Sequence, residues 1–552
     1  MTGRRLPLVV LLVGLLVAAI AVGDRTVRTD RGVTTPAVAA SSPAAGVRSS
    51  AWYCAGGPVG KGASADQVTI SNVGSHPVSV AIDVMVVGHA VAEHFVTVAA
   101  RSSTTVPVSR FSRASSAALV VQPLGSDVVV EQGFAVNGDV AMAPCATRAS
   151  SDWYFAAGSS VSGAQTWLAL FNPFADDAVV DVESYSEDGI RDPGTLQGID
   201  VSPGSRLVVR VDQSVAQQRI AAVAVHARSG SRVVATQSVV EPGSHGHINA
   251  SISLGALTPS TTWMFADNRS VAGATQQLVL ANPGEVDATA RVQVVTDVAA
   301  TIAAREVKVP ATTAVAVDFS TVVPVGAAYT LVVDSEVPLV AETRDTYGGE
   351  FPGLVTEVGA TAAAPQWLFA GGPFTATGLE NGRIELPAGT DFRVVMNASA
   401  TDSRIASVRA VLTHNHHVKS VRTATHAAGP VTLDVAATKV AYIASLIEYA
   451  RKRPGVDTVV TATKGPSYAD DIVVLNPGPR AAVVSLVATA GGDTVPGPGM
   501  TNVEIAPFHA VTMPLVTLAQ KGVAVVLHAT GAVVAERFTG GPWGVTRSPG
   551  VP

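Results

Sequence analysis

The stretch Trp153-Tyr154-Phe155-Ala156-Ala157-Gly158, followed by Trp167-Leu168-Ala169-Leu170-Phe171-Asn172-Pro173, decides the fold of this chain because its features return along the sequence. Aromatic openers stand at Trp52-Tyr53-Cys54, Trp153-Tyr154-Phe155, Trp263-Met264-Phe265 and Trp367-Leu368-Phe369. An apolar run then ends in an Asn turn: Asn172-Pro173, Asn282-Pro283-Gly284 and Asn476-Pro477-Gly478, with weaker forms at Asn72-Val73-Gly74 and Asn397-Ala398-Ser399. Five closing runs follow the same rule: Val128-Val129-Val130-Glu131, Val233-Val234-Ala235-Thr236, Leu339-Val340-Ala341-Glu342, Val459-Val460-Thr461-Ala462 and Val533-Val534-Ala535-Glu536. These marks define five units, the last without an opener. The 110 positions from Asn172 to Asn282 fit the roughly 100 residues of a small sandwich domain and exceed solenoid periods.

Local pattern makes the units β. Ala290, Val292 and Val294 alternate with Thr289, Arg291 and Gln293, and Val78, Val80, Ile82 and Val84 with Ser79, Ala81 and Asp83. Such alternation turns one face to a core and one to water. Pro in the Asn-Pro turns has no N–H for a ladder and marks where a strand stops. A second hairpin sits at Val201-Ser202-Pro203-Gly204, Val309-Pro310-Ala311-Thr312 and Ile505-Ala506-Pro507-Phe508. Short strands with turns every eight to twelve residues or so give an all-β chain of tandem immunoglobulin-like β-sandwich domains. Val440 to Arg453 reads locally as an amphipathic helix stopped by Pro454-Gly455. Yet Ile443 to Arg451 aligns without gaps on Ile220 to Arg228 of the second unit, so strand is expected there.

The expected organisation is a cytoplasmic stub at 1–5, a transmembrane anchor or signal peptide at 6–22, a disordered linker at 23–50, and five sandwiches at 51–148, 149–260, 261–365, 366–464 (divergent) and 465–552. At 552 residues the chain is too long for one core. Arg4-Arg5 precede the apolar run Leu6 to Val22, whose 17 residues would span about 26 Å as a helix against a hydrocarbon core of roughly 30 Å. A single-pass plasma-membrane anchor is therefore expected, with secretion after cleavage near Ala19-Ile20-Ala21 as the alternative. Arg25, Arg28 and Arg31 weaken the charge argument for the anchor. Both readings put the domains outside the cytoplasm.

Cys54 and Cys145 bracket the first unit and lack any Cys-x-x-Cys spacing, so a disulfide is favoured over a metal pair. A net charge of -6 and pI near 6.1 give no basic footprint for nucleic acid. Only seven of the 37 basic residues are lysine, a bias that together with the Ala and Val richness suggests a GC-rich genome. None of the lysines has a serine three positions before it, which excludes the penicillin-recognising serine enzymes. There is no Gly-x-Ser-x-Gly elbow, phosphate loop or His-Glu-x-x-His helix.

The best metal candidate is His414-Asn415-His416-His417. On a strand, His414 and His416 would share a face, and His426 could supply a third ligand. The plainer reading of His414, His416 and His417 is a polar hairpin tip, and His245-Gly246-His247 is a weaker case of the same kind. Glu187-Asp188 with Asp192, and Asp470-Asp471, offer oxygens for calcium but lack EF-hand spacing and read as solvated turns. Paired carboxylates for glycoside hydrolysis have no support in the spacing. Trp52, Trp153, Trp263 and Trp367 are read as core plugs or interdomain wedges, with a sugar-stacking platform as the alternative.

The opener and Asn-Pro turn of the second unit resemble a repeat of actinobacterial surface and envelope proteins. In outline, from Trp52 to Pro552, the chain resembles a DUF5719-like family of secreted or membrane-anchored proteins of unknown function; strict motifs cover the second and third units. The resemblance implies no activity, cofactor or functional residue. The expected function is a non-enzymatic cell-envelope scaffold or binding protein, held at the membrane and partnered by wall polymer or envelope proteins. The alternatives are a glycan-binding array, or an enzyme with a metal site in the divergent fourth unit.

Overall fold

The computed structural model describes residues 51–59, 66–86, 91–112, 117–125, 127–136, 139–243, 248–296, 302–348, 351–371, 469–490, 492–495, 500–515, 523–541 and 544–552, with short strands at 382–386, 412–414, 417–418, 431–435 and 461–462. The first repeat contains β1 (Trp52–Cys54), β2 (Gln67–Asn72), β3 (Val78–Met85), β4 (Ala92–Val98), β5 (Ser102–Pro107), β6 (Ala118–Pro123), β7 (Val128–Val136) and β8 (Asp139–Pro144). They form two antiparallel sheets, β1-β6-β3-β4 and β5-β2-β7-β8, around one core that holds Trp52, Ile70, Ile82 and Val130. Val78, Val80, Ile82 and Val84 are buried and Ser79 and Asp83 half-buried, as the alternation implies, but Ala81, expected on the water-facing side, is buried too.

The second repeat repeats this plan with β9 (Asp152–Phe155), β10 (Gln165–Asn172), β11 (Ala178–Ser186), β12 (Gly189–Arg191), β13 (Ile199–Val201), β14 (Ser205–Arg210), β15 (Ala222–Ala227), β16 (Val234–Pro242) and β17 (Ile248–Leu254). The third has β18 (Ser260–Arg269), β19 (Thr275–Asn282), β20 (Ala288–Thr296), β21 (Arg305–Val309), β22 (Thr313–Asp318), β23 (Ala328–Tyr347) and β24 (Gly353–Val358). Here one long strand serves both sheets, because the first half of β23 pairs with β18 and β20 and its second half with β19 and β24.

The last repeat departs from the expected boundaries. Its opener is β25 (Ala364–Phe369). The strands β26 (Gly382–Leu386), β27 (Leu412–His414), β28 (His417–Val418), β29 (Val431–Val435) and β30 (Thr461–Ala462) follow and pair among themselves in the order β28-β27-β29-β26-β30. The repeat then resumes with β31 (Ala469–Asn476), β32 (Ala482–Ala490), β33 (Asp493–Val495), β34 (Val503–Ile505), β35 (His509–Pro514), β36 (Ala524–Gly541) and β37 (Gly544–Pro549). Trp367, Leu368 and Phe369 of β25 pair with Leu527, Val526 and Val525 of β36. The strand pairing therefore does not follow the expected divide between 366–464 and 465–552, and the last unit has not lost its opener. Sheet completion is the physical reason: β36 needs a partner on that side, and the strand before the insertion supplies it. Of the run Val459 to Ala462 only Thr461–Ala462 is described, and it pairs with β26. The segments Val440 to Arg453 and Asn397 to Ser399 lie outside the described residues.

The Asn turns share one chemistry. Asn72, Asn172, Asn282 and Asn476 are all buried. The Oδ1 of each accepts the amide two residues on, from Gly74, Phe174, Gly284 and Gly478, at 2.9 to 3.0 Å. Each Nδ2 donates to the carbonyl four residues on and to a carbonyl preceding the next hairpin, those of Val98, Val201, Val309 and Ile505. One amide thus satisfies three backbone groups, one of them fully buried, which the short acceptor-donor side chain of Asn is built to do. Asn72, without Pro after it, behaves like the others.

The openers fill the cores. Trp52, Trp153, Trp263 and Trp367 are buried, and the indole N–H groups of the last three donate to the closing runs at Val233, Leu339 and Val533, at 2.8, 3.0 and 2.8 Å. Two residues on, Phe155, Phe265 and Phe369 press on Gly255, Gly359 and Gly550, where an added Cβ would come within 2.7 Å of the ring. In the first repeat the same two positions hold Cys54 and Cys145, which are joined in a disulfide with Cα atoms 4.8 Å apart. The bridge replaces a Phe-on-Gly contact, and closing a loop of 91 residues contributes about 4–5 kcal/mol in the chain-entropy picture. Gly359→Ala is expected to cost about 1–3 kcal/mol through overpacking against Phe265, read as a lower urea midpoint with unchanged slope.

The repeats close on one another. Strand β8 packs against β17 and β37, and β24 packs against the same two, so the four innermost strands meet in a cycle. Core sharing follows the same circuit. Ala55, Met85 and Val120 join the second core, Ala156, Ala157 and Ala222 the third, Met264 and Ala266 the last, and Leu368, Val526 and Val551 return to the first.

Candidate functional site

The chemistry of this ring gathers at its seams. Register makes Glu131, Thr236, Glu342 and Glu536 equivalent, since each lies opposite the last or near-last residue of an innermost strand: Pro144, Leu254, Val358 and Pro549. From that position a repeat holds the opener of the repeat before it. Glu342 Oε2 accepts the amides of Ala156 and Ala157 at 2.7 and 2.8 Å. Glu536 accepts those of Ala266 and Asp267 at 2.8 and 2.7 Å. Thr236 Oγ1 donates to the Gly56 carbonyl at 2.8 Å. In the seam that closes the ring, Ser548 Oγ donates to Glu131 at 3.0 Å and the Gly371 amide donates to Ser71 Oγ at 2.9 Å.

The densest site lies between the third and last repeats. Arg547 of β37 is buried; its guanidinium donates to Glu357, to Thr343 Oγ1 and to the Asp267 carbonyl, and lies 3.0 Å from Asp345 Oδ2. The Met142, Ile252 and Thr356 positions in the other innermost strands carry no charge, so Arg547 breaks the repeat pattern. Beside it, Arg269 donates to Asp267 at 3.0 Å and to Asp471 at 2.8 Å, with its guanidinium 3.9 Å from the centre of the Phe538 ring. Arg537 binds Asp470 through two bonds of 2.8 and 2.7 Å. Burial drives Glu342 and Glu357 above the usual carboxylate range; for Glu342 the two backbone amides oppose it, and for Glu357 the neighbouring Glu536 adds to it. Burial likewise works against the charge of Arg547, but Asp345 and Glu357 outweigh it and hold the guanidinium charged.

At the centre, cavities of about 20 and 10 Å³ lie among residues such as Ser253, Thr356, Glu357 and Arg547. The larger has room for about one water molecule. Around both cavities the space is taken up by side chains of the innermost strands.

Of the residues singled out from sequence, the four opener tryptophans are core residues and Cys54 bridges Cys145. Asp470 and Asp471 are not a solvated turn: they sit buried in β31, paired with Arg537 and Arg269. Glu187 is exposed and pairs with Arg219 at 2.6 Å, and Asp188 lies 4.0 Å from Arg191. His414 and His417 are register partners in the β27–β28 hairpin; His416, His426, His245 and His247 lie outside the described residues. Among the described residues no three His, Cys, Asp or Glu groups are placed to hold a metal ion, and no helix is long and apolar enough to cross a membrane. Leu6 to Val22 lies outside them. Sequence reasoning missed Arg547, Glu357 and Glu536 as a site. The available signal was the Glu that ends three closing runs, a charge set directly after three apolar residues.

Removing Arg547 while leaving its carboxylates buried is expected to be severe. Arg547→Met should cost about 3–5 kcal/mol, because uncompensated buried charge remains. Chemical denaturation reads it, and a loss below about 1 kcal/mol would mean the cluster is not held by this residue.

Residues 128–368 match the model of a family of unknown function, DUF5719. That stretch begins at β7, covers the second and third repeats, and ends within the opener of the last. No curated protein matches the chain. Among solved structures, the Thermotoga maritima protein 1070 is 19% identical, covering 18% of this chain and 93% of that one, with a TM-score of 0.17. A tetra-tandem repeat from the extending region of a large adhesion protein is 10% identical, covering 87% of this chain and 92% of that one, with a TM-score of 0.09. Both scores are too low to carry a structural argument.

Proposed function

We propose that this chain, a DUF5719 protein by its central region, is a non-enzymatic extracytoplasmic envelope protein whose repeats form a rigid scaffold and binding body. One observation carries the reading. The Cys54–Cys145 disulfide is built into the first core where the other repeats use Phe and Gly, and such structural bridges belong to oxidising compartments. The apolar run Leu6 to Val22 would hold the body at the plasma membrane, and residues 23–50 would be its tether. Each repeat would be an immunoglobulin-like sandwich, which its two facing sheets support. The partner class is wall polymer or envelope protein.

A body in which the last repeat returns to the first supplies surface and stiffness rather than reach. A glycan-binding array would need aromatic faces open to solvent, and the opener tryptophans are buried, so this alternative is less favoured. The enzyme alternative rests on His414, His416 and His417, whose side chains lie outside the described residues.

Thiol labelling of acid-quenched, denatured cells tests the compartment: both cysteines should resist a maleimide reagent until reduction, giving two added labels afterwards. Retention of wall fragments or envelope proteins by the immobilised full chain tests the binding role. Free thiols in freshly lysed cells would remove the main support for export.

A further inference from the structure

The seams of the ring are not chemically alike. Between the first and second repeats the contacts among the described residues are neutral apart from one ion pair: Thr236 holds the carbonyl of Gly56, whose amide donates within its own repeat to Gln132 Oε1 at 2.8 Å, and Arg206 pairs with Asp66 at 2.6 Å. Between the third and last repeats, five carboxyls face two guanidiniums. Asp267 and Arg269 come from β18, Asp345 from β23, Glu357 from β24, Asp471 from β31, Glu536 from β36 and Arg547 from β37. Tyr329 and Tyr347 of β23 lie against them, and Asp470, Arg537 and Glu131 continue the cluster toward the closing seam. Glu357 Oε1 has no hydrogen-bond partner among the described residues.

We propose that the seam between the third and last repeats is a proton-operated latch, closed while its surplus carboxyls are protonated and loosened when they ionise. Two guanidiniums cannot compensate five buried carboxylates, and each unmatched charge away from water is costly. The cheapest compact state therefore keeps protons on some of these groups. Glu536 also holds two backbone amides of the neighbouring repeat, so its environment and the seam are one object.

The pH window follows from the cluster. Burial pushes Glu536 up to about 7, with Arg547 and the two amides opposing it, and pushes Asp345 up to about 6. A carboxyl raised on folding stabilises fully below its unfolded value, near 4.5 for Glu, and that stabilisation is lost as pH rises through the folded value. The seam should thus be tight in mild acid and weakened above about pH 7. The repeat it releases is the one interrupted by residues 370–468. This inference does not depend on the envelope reading.

Hydrogen exchange on the full chain, with rates corrected for the intrinsic pH dependence, tests it between about pH 5.5 and pH 8.5. Protection of the Ala266 and Asp267 amides should fall by about tenfold or more, while that of the Gly56 amide in the neutral seam stays level. Glu536→Gln should flatten the pH dependence at Ala266 and Asp267. Should that variant fail to fold, infrared spectra of the wild-type chain still decide: a protonated-carboxyl band near pH 6 that vanishes by pH 8.5 supports the latch. Level protection at Ala266 and Asp267, a parallel fall at Gly56, or no such band would overturn it.

Discussion

The body is held by one recurring contact: a side chain at the end of a closing run grips the backbone at the end of the preceding repeat's opener. Glu342 and Glu536 do this with carboxyl oxygens and Thr236 with a hydroxyl. The opener is thereby shared, its Trp and its Phe or Cys packed into its own core while the backbone beyond them belongs to the next seam. A sandwich whose opener is shared in this way is completed by its neighbour, and a chain of such sandwiches leaves an unmatched repeat at each end. Closure removes both ends, through β37 against β8, Ser548 on Glu131 and the Gly371 amide on Ser71.

Buried charge is an expensive means of making that contact. A carboxylate that takes two amides recovers much of its lost hydration, which is why Glu342 tolerates its place. The seam beyond β18 goes further, with Arg547 in a position where the other repeats carry Met, Ile or Thr. Such clusters contribute little net stability. In a ring of near-identical sandwiches, distinct seam chemistry favours assembly of the repeats in one order; the Arg206–Asp66 pair and the Arg547 cluster could not exchange places.

The β class and the repeat were legible because they rest on local signals. Alternation at Ala290, Val292 and Val294 reports a half-buried strand, and Asn282-Pro283-Gly284 reports its end. The tryptophans and the Cys54–Cys145 bridge were legible for the same reason, since each recurs or is bracketed within one unit. The course of the last repeat was not. Trp367 and Ala469 belong to one sandwich although residues 370–468 separate them, and strand pairing across an insertion leaves no local trace. Asp470-Asp471 misled because two adjacent acids look solvated; only the fold brings Arg537 and Arg269 to them. The seam cluster escaped because its members come from six strands, and no spacing in the sequence encodes their meeting.

Closure of the ring is tested most directly by a distance between the first and last repeats. The Gly492 amide donates to the Arg101 carbonyl at 3.3 Å across the closing seam, so Ser102 and Thr494 lie close to that contact. Spin labels on Ser102→Cys and Thr494→Cys in the full chain, with the native cysteines protected in their disulfide, report the separation by pulsed electron resonance. The closed arrangement predicts one narrow distance within about 25 Å, under the width of a single domain of this size. A broad distribution extending over several domain widths would mean that the repeats form an open array, and the account would fail.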